Sequence, residues 1–200
     1  YCETKLIAVS KQFPKETIQI LINKGHKIFG ENKVQEAQAK WIDLKRENSE
    51  KNIELHLIGP LQSNKANLAL DIFDVIQTVD REKIALKLKK YLEEKTDIKK
   101  KNFFIQVNIG HEKQKSGIEE NLVQQFFRWC SNDLKLNIIG LMCIPPLGEP
   151  PAPFFKRLRN LCDQLNLKHA SMGMSNDFES AIEHGATFIR VGTRIFGERG

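Results

Sequence analysis

One lysine stands where its amine could act as a nucleophile. Lys11 directly follows the apolar run at 6–10, and nothing after it continues that run. A lysine at the mouth of an apolar sheet is poorly solvated, which favours the neutral amine that attacks a carbonyl carbon. Lys11 is therefore a candidate for Schiff-base formation. The alternative is a solvated lysine at a strand end, which a lysine-rich chain leaves open.

Two glycine-containing segments late in the chain could bind an anion. Gly173 and Gly192 each follow an apolar run and let backbone N–H groups approach a ligand closely. Ser175 and Thr193 add hydroxyl donors beside them. These donors together favour a phosphate group. The alternative is a pair of tight turns, with a serine that caps a helix.

Apolar runs and helical patterns alternate along the chain. The apolar runs are short and rich in Ile, Val, Leu or Phe, as in strands buried on both faces of a parallel sheet. They predict eight strands, at 5–10, 27–30, 53–58, 74–79, 103–109, 137–142, 168–172 and 187–191. The segments between them predict helices at 15–24, 32–47, 62–70, 81–95, 119–131, 154–166 and 177–184.

These units predict a single α/β domain over residues 1–200, a (β/α)8 TIM barrel. An open doubly wound sheet is the rival, but the count of eight units and the lack of a Gly-x-Gly-x-x-Gly turn disfavour it. In such a barrel the segments that follow the strands form the active face, and the loops after the last two strands often bind phosphate. The residues singled out above all belong to these segments.

Barrel closure makes the eighth strand the neighbour of the first, so we expect Arg190 near Lys11. A permanent guanidinium there would help to keep the lysine amine neutral. A ligand spanning this mouth would carry a phosphate at one end and a reactive aldehyde at the other. Pyridoxal 5'-phosphate (PLP), the vitamin B6 cofactor, has that shape, and arginine suits its ring nitrogen.

Ordered motifs over nearly the whole chain carry a family resemblance. They are AVSK (8–11), FGENKVQE (29–36), HLIGPLQSNK (56–65), KSG (115–117), GLM (140–142), SMGMSNDFE (171–179) and RVGTRIFG (190–197). With these motifs the chain resembles the pyridoxal phosphate homeostasis protein family, which is similar to the barrel domain of alanine racemase.

The resemblance implies a fold-type III barrel that holds PLP as a Schiff base on Lys11. It assigns the phosphate to Ser175, Gly192 and Thr193. It places Arg190 at the ring nitrogen and Asn32 beside the ring, although Asn32 could equally be the N-cap of the second helix. It also implies a monomer and a helix before the first strand that this sequence lacks. The stretch 147–153 is short for the family.

The composition indicates a soluble protein with a modest positive charge. Hydrophobic residues make up 40% of the chain, charged residues 28%, and the net charge is +6. The lysine run at 99–101 has no interleaved aromatic residues, so we expect no nucleic-acid partner. No apolar run approaches the ~20 residues of a membrane span, so we expect no membrane partner.

The chain has four cysteines, which are Cys2, Cys130, Cys143 and Cys162. They are far apart in the sequence, which predicts reduced thiols, no metal site and a cytoplasmic location.

Two classes of function fit this sequence. The resemblance implies a non-catalytic protein that stores, shields or delivers PLP, with apo PLP-dependent enzymes as recipients. The alternative, a small PLP-dependent amino-acid racemase, needs a second base on the other face of the cofactor, and Tyr1 and Tyr91 are badly placed for that role. Arginine at the ring nitrogen also weakens the cofactor as an electron sink. A third reading, a Lys11 aldolase acting on a sugar phosphate, fits the same loops.

Overall fold

The alternation of apolar runs and helical patterns produces nine parallel strands, eight of which match the predicted ones. The computed structural model describes residues 3–95, 100–112, 114 and 116–197. The strands are β1 (Lys5–Val9), β2 (Ile28–Glu31), β3 (Glu54–Leu57), β4 (Val75–Val79), β5 (Asn102–Asn108), β6 (Ile118–Glu119), β7 (Ile138–Cys143), β8 (His169–Ser171) and β9 (Phe188–Val191).

Eight of these strands close into a barrel, which confirms the predicted (β/α)8 fold. Neighbours pair in parallel in the order β1–β2–β3–β4–β5–β7–β8–β9. Pairing of β9 with β1 closes the ring, with Arg190 opposite Ile7. The two-residue β6 was not predicted and pairs with β5 outside the ring. Gly117 permits that close approach, because a Cβ there would lie 2.5 Å from the backbone nitrogen of Asn108.

Helices follow most strands and cover the outside of the ring. They are α1 (Lys15–Asn23), α2 (Val34–Glu47), α3 (Ala66–Ile72), α4 (Glu82–Glu94), α5 (Val123–Arg128), α6 (Ala152–Gln164), α7 (Phe178–Glu183) and α8 (Thr193–Phe196). The helix predicted at 119–131 is instead β6, a 3-10 turn, α5 and a π-helical turn at Trp129–Asp133. Helix α6 begins earlier than predicted, because Pro153 fits in a first helical turn, where its missing N–H costs nothing. The turn α8 was not predicted.

Apolar side chains fill two separate spaces. One lies between the ring and the helices, where α2 buries Val34, Ala37, Trp41 and Leu44 at helical spacing. The other is the barrel interior, filled by Ile7, Val75, Phe104, Met142 and Phe188. Tyr91 lies in the outer layer, where the residue is 7% exposed and its hydroxyl donates to Asp71 at 2.6 Å.

The described cysteines, Cys130, Cys143 and Cys162, are free and buried. Burial raises the pKa of the Cys130 and Cys143 thiols to about 12 and that of Cys162 to about 11. Cys2 and Lys115 lie outside the described residues. Across that described part, no helix is long and apolar enough to span a membrane, and no side-chain cluster has the make-up of a metal site.

Candidate functional site

All six candidate residues lie at the carboxyl-terminal edge of the barrel or on the strand that leads to it. Lys11 is in the turn after β1, and Asn32 directly follows β2. Ser175 is in the segment after β8, and Arg190 is the third residue of β9. Gly192 and Thr193 follow β9 at the start of α8. Because the strands are parallel, these segments share one end of the ring.

The β1 and β9 ends lie side by side. A Cβ built on Gly192 would be 3.2 Å from the carbonyl oxygen of Val9, two residues before Lys11. The ring of Phe13, in the segment that follows Lys11, stacks on Phe196 of α8 with centroids 4.7 Å apart. The lysine turn and the glycine loop are therefore packed against each other.

Lys40 of α2 supports the turn that contains Lys11. The Lys40 ammonium donates to the carbonyl oxygens of Ser10 at 3.0 Å and Phe13 at 3.2 Å. It also forms ion pairs with Glu31 at 2.9 Å and Glu36 at 3.0 Å. These contacts fix the backbone on both sides of Lys11.

Two carboxylates complete this support. Glu31 is fully buried and accepts hydrogen bonds from the Ser10 hydroxyl at 2.7 Å and the Trp41 indole at 3.0 Å. Glu36 accepts from the backbone N–H of Gln12. Partial burial works against ionisation of Glu36, but the hydrogen bonds from Gln12 and Lys40 prevail and lower its pKa.

Arg190 is a buried cation whose hydrogen-bond partners among the described residues are neutral. Its side chain donates to the Ser171 hydroxyl at 2.9 Å and to the carbonyl oxygen of Cys143 at 2.9 Å. Burial lowers the pKa of this guanidinium, although arginine remains charged in proteins. Among the residues that the structure describes, no carboxylate forms an ion pair with it. A buried cation of this kind suits a ligand atom that accepts a hydrogen bond.

The segment after β8 is tied to the β9 loop. The Gly192 N–H donates to the Ser175 hydroxyl oxygen at 3.3 Å, so the serine O–H can itself donate outward. Gly192 is the N-cap of α8, and the first N–H groups of a helical turn have no partner within it. Hydroxyls and N–H groups in this arrangement suit an anion.

Asn32 is not the N-cap of α2. That position falls one residue later, at Lys33, whose side chain makes no capping bond. The backbone of Asn32 instead packs against Gly59, where a Cβ would lie 2.2 Å from the Asn32 carbonyl oxygen. The contact of Asn32 with a cofactor ring stays a prediction. So do the expected effect of Arg190 on the Lys11 amine and the ligand assignments of the other five residues.

The donor set fits a ligand such as the one predicted. An amine, a guanidinium, two hydroxyls and backbone N–H groups all lie at one end of the barrel. Apart from the hydroxyls, each of these groups donates hydrogen bonds, which suits an anionic group joined to a hydrogen-bond-accepting ring. Groups of this kind are suitable hydrogen-bond donors to a phosphate and to a ring nitrogen.

Sequence reasoning missed several residues that support this site. Glu31 and Lys40 appeared as parts of a motif and a helix, without a role. Ser171 and His56 appeared only as members of motifs. The available signal was the alternation of polar residues within buried strands, as at 54, 56 and 77, which indicates side chains that face the interior of a barrel.

The fold and the candidate site define a class within the α/β barrel proteins. Its members have a parallel barrel, a lysine after the first strand, and hydrogen-bond donors in the loops after the last two strands. A family model, "Alanine racemase, N-terminal domain", matches residues 2–200. With that match and the relatives that follow, the chain belongs to the pyridoxal phosphate homeostasis protein family within this class.

Three relatives illustrate the similarity. A pyridoxal phosphate homeostasis protein of Vibrio cholerae is 41% identical over 203 residues, covering 98% of this chain and 85% of that protein. One of Aquifex aeolicus is 39% identical over 204 residues, covering 98% and 87%. The structure of PipY from Synechococcus elongatus with PLP bound has a TM-score of 0.87 at 35% identity, covering 97% of this chain and 92% of that one.

Proposed function

We propose that this protein binds PLP through a Schiff base on Lys11 and serves intracellular PLP homeostasis by storing, shielding or delivering the cofactor. The observation that carries the proposal is the packing of the Lys11 turn against the β9–α8 loop, with Gly192 on Val9 and Phe13 on Phe196. That packing brings an amine and a loop with hydrogen-bond donors to the same end of the barrel. The PLP-bound PipY structure and the names of the relatives support the same ligand.

Each end of the cofactor has its own partners in this proposal. The Lys11 amine condenses with the aldehyde carbon and releases water. The phosphate binds at Ser175, Gly192 and Thr193. Arg190 donates to the ring nitrogen, and Asn32 lies beside the ring.

We propose that the protein is a carrier and not a strong catalyst. A donor-only guanidinium at the ring nitrogen leaves that nitrogen unprotonated, so the cofactor would be a weak electron sink. Racemisation by two bases also needs a group on the face opposite Lys11. Tyr91 is held in the outer layer, where its bond to Asp71, together with burial, raises its pKa to about 12. Tyr1 lies outside the described residues.

The lysine attachment is tested by reduction and mapping. Purified protein loaded with PLP should be yellow, and borohydride treatment followed by peptide mass mapping should place the pyridoxyl adduct on Lys11. The variant Lys11→Ala should fold, bind the phosphate end weakly and lose the imine absorbance. Lys65→Ala, a lysine in the 3-10 turn after β3, is the matched control and should keep the colour.

Four results would contradict this proposal. An adduct on another lysine, or unchanged absorbance in Lys11→Ala, would show that Lys11 is the wrong residue. A colourless protein that takes up no PLP would favour the aldolase. Steady conversion of L- to D-alanine at on the order of 1–10³ per second would favour the racemase over the carrier.

Delivery is tested separately. The loaded protein, as a cytoplasmic monomer, is the donor in our proposal, and apo PLP-dependent enzymes are the recipients. Activation of an apo-enzyme by loaded protein should exceed activation by the same concentration of free PLP. Equal activation in both cases would leave storage or shielding as the role.

A further inference from the structure

A line of hydrogen-bonded polar side chains crosses the barrel interior to Arg190. Glu54 contacts the Nε2 atom of His56 at 2.6 Å, and the Nδ1 atom of His56 lies 2.8 Å from the Gln77 amide nitrogen. The Ser171 hydroxyl donates to the Gln77 amide oxygen at 2.6 Å and accepts from Arg190 at 2.9 Å. Strands β4 and β8 are not neighbours in the ring, so the bond from Ser171 to Gln77 spans the interior.

The line is shielded from water along most of its length. The side chains of His56, Gln77 and Ser171 are fully buried, and Arg190 is 4% exposed. Interior apolar rings pack beside it, with Phe188 5.5 Å from the His56 ring between centroids. Only Glu54, at the amino-terminal end of β3, reaches solvent, with 38% of its side chain exposed. Buried polar groups of this kind are costly unless each finds a partner, and here each one does.

The chemistry of the two ends sets the direction of every bond between them. Arg190 can only donate, and an ionised Glu54 can only accept. The Ser171 O–H, the Gln77 amide N–H and the His56 Nε2–H therefore all donate in the same direction, away from Arg190. This assignment makes His56 neutral with its proton on Nε2. Aligned donors polarise one another, so the carboxylate at one end stabilises the guanidinium at the other.

We propose that Gln77 and Ser171, with His56 and Glu54 behind them, are positioning residues that fix the orientation of Arg190 toward the ligand. The anion at the far end, together with the charge of Asp177, offsets part of the buried cationic charge without contacting the guanidinium directly. A carboxylate in direct contact would instead use the donors that the ligand needs. This inference rests on the proposed function only where it assigns Arg190 to the PLP ring nitrogen.

The first test needs no cofactor. Heteronuclear NMR of the imidazole nitrogens in the unloaded protein at neutral pH should show His56 neutral, with the proton on Nε2 and Nδ1 accepting a hydrogen bond. A proton on Nδ1, or an imidazolium, would reverse the required bond directions and overturn the proposal. This measurement stands even if the protein takes up no PLP, so it separates the two proposals.

The second test is a double-mutant cycle on the PLP-loaded protein. Gln77→Met keeps the side-chain length but removes the link, so we expect PLP to dissociate about 3- to 10-fold faster and its absorption maximum to shift. In the Arg190→Ala background, Gln77→Met should change the dissociation rate less than about twofold, because the residue it positions is absent. Equal effects in both backgrounds, or no effect in the native background, would overturn the positioning role.

Three further variants guard against a simple folding defect. His169→Phe changes another interior ring, two residues before Ser171 on β8, and should leave PLP dissociation unchanged, because His169 is not in the line. Glu54→Leu alters the partly exposed end, so it should fold even if Gln77→Met does not. Glu54→Leu should speed PLP dissociation. Glu54→Gln, whose amide oxygen still accepts from His56, should increase the dissociation rate by no more than half as much. A dissociation rate unchanged in Glu54→Leu would contradict the proposal.

Discussion

At the scale of single residues, Lys40 contributes most directly to the geometry of the site. Its ammonium joins two backbone carbonyls of the Lys11 turn to the buried carboxylate of Glu31. The side chain of Lys40 is 12% exposed and that of Glu31 is fully buried. Removing one partner of a buried pair is costly, because the remaining charge is left uncompensated in a poorly polarisable environment.

We therefore predict that Lys40→Met lowers the free energy of unfolding by about 3 kcal/mol, measured by urea denaturation. Methionine keeps the apolar stem, so the loss reports the ammonium. The matched control is Lys89→Met, which removes an exposed pair with Glu93 at 3.1 Å on α4 and should cost about 0.5 kcal/mol or less. Similar losses for both variants would show that Lys40 is an ordinary surface lysine.

At the scale of elements, the segment between β8 and α7 depends on a glycine. Gly173 has φ +89°, and a Cβ there would lie 2.5 Å from the Cβ of Ala181 in α7. Its carbonyl oxygen accepts the backbone N–H of Arg190 at 2.9 Å. Asp177 is the N-cap residue of α7, but its carboxylate accepts from the Met174 N–H and not from the helix.

Substitution of Gly173 should combine two costs. A left-handed backbone disfavours alanine by roughly 1–2 kcal/mol, and the clash with Ala181 adds roughly 1–3 kcal/mol. We predict that Gly173→Ala destabilises the protein by about 3 kcal/mol in urea denaturation. Gly25→Ala is the control, because Gly25 has φ +88° with nothing within 4 Å of a built Cβ, and it should cost about 1 kcal/mol. Equal costs would rule out the clash.

At the scale of the whole molecule, the two ends of the barrel differ in chemistry. The carboxyl-terminal edge carries the candidate site, whereas charges at the amino-terminal end surround His169. Burial of this imidazole is the largest influence on it, and Lys168 and Lys5 add repulsion, so its pKa lies below the ordinary value. Glu54 and Arg159 also act on it, in opposite directions.

A lowered histidine pKa makes stability depend on pH with a definite sign. Between the folded pKa of His169 and about 6.5, the unfolded chain binds a proton that the folded chain does not, so stability rises with pH. We predict that the free energy of unfolding falls as the pH drops from ~7 to ~5, and that His169→Gln makes this decline shallower. An unchanged decline in His169→Gln would show that other groups cause it.

Much of the fold could be predicted from the chain because strands buried on both faces are continuously apolar. All eight barrel strands were located for that reason. The region 118–133 was mispredicted, because its apolar spacing suits a helix while pairing with β5 draws Ile118 into a strand. Local patterns do not report such pairing.

The residues of the candidate site could likewise be predicted only in part. Lys11, Ser175, Gly192 and Thr193 could be found because they directly follow predicted strands, and a parallel barrel gathers such positions at one end. The line of polar side chains behind Arg190 could not be found, because its bonded members Gln77 and Ser171 are 94 positions apart in the chain. Their strands also lie apart in the ring, so neither spacing nor strand order links them.

The amino-acid order alone determined the eight barrel strands, the barrel they form and the end that carries the candidate site, because the hydrophobic pattern and direction of each strand are local properties. Only the tertiary structure decided how Lys40 supports the Lys11 turn and how Arg190 is linked by hydrogen bonds to residues across the interior. Those contacts form when distant segments are buried together, and burial is what makes each unpaired polar group too costly to leave.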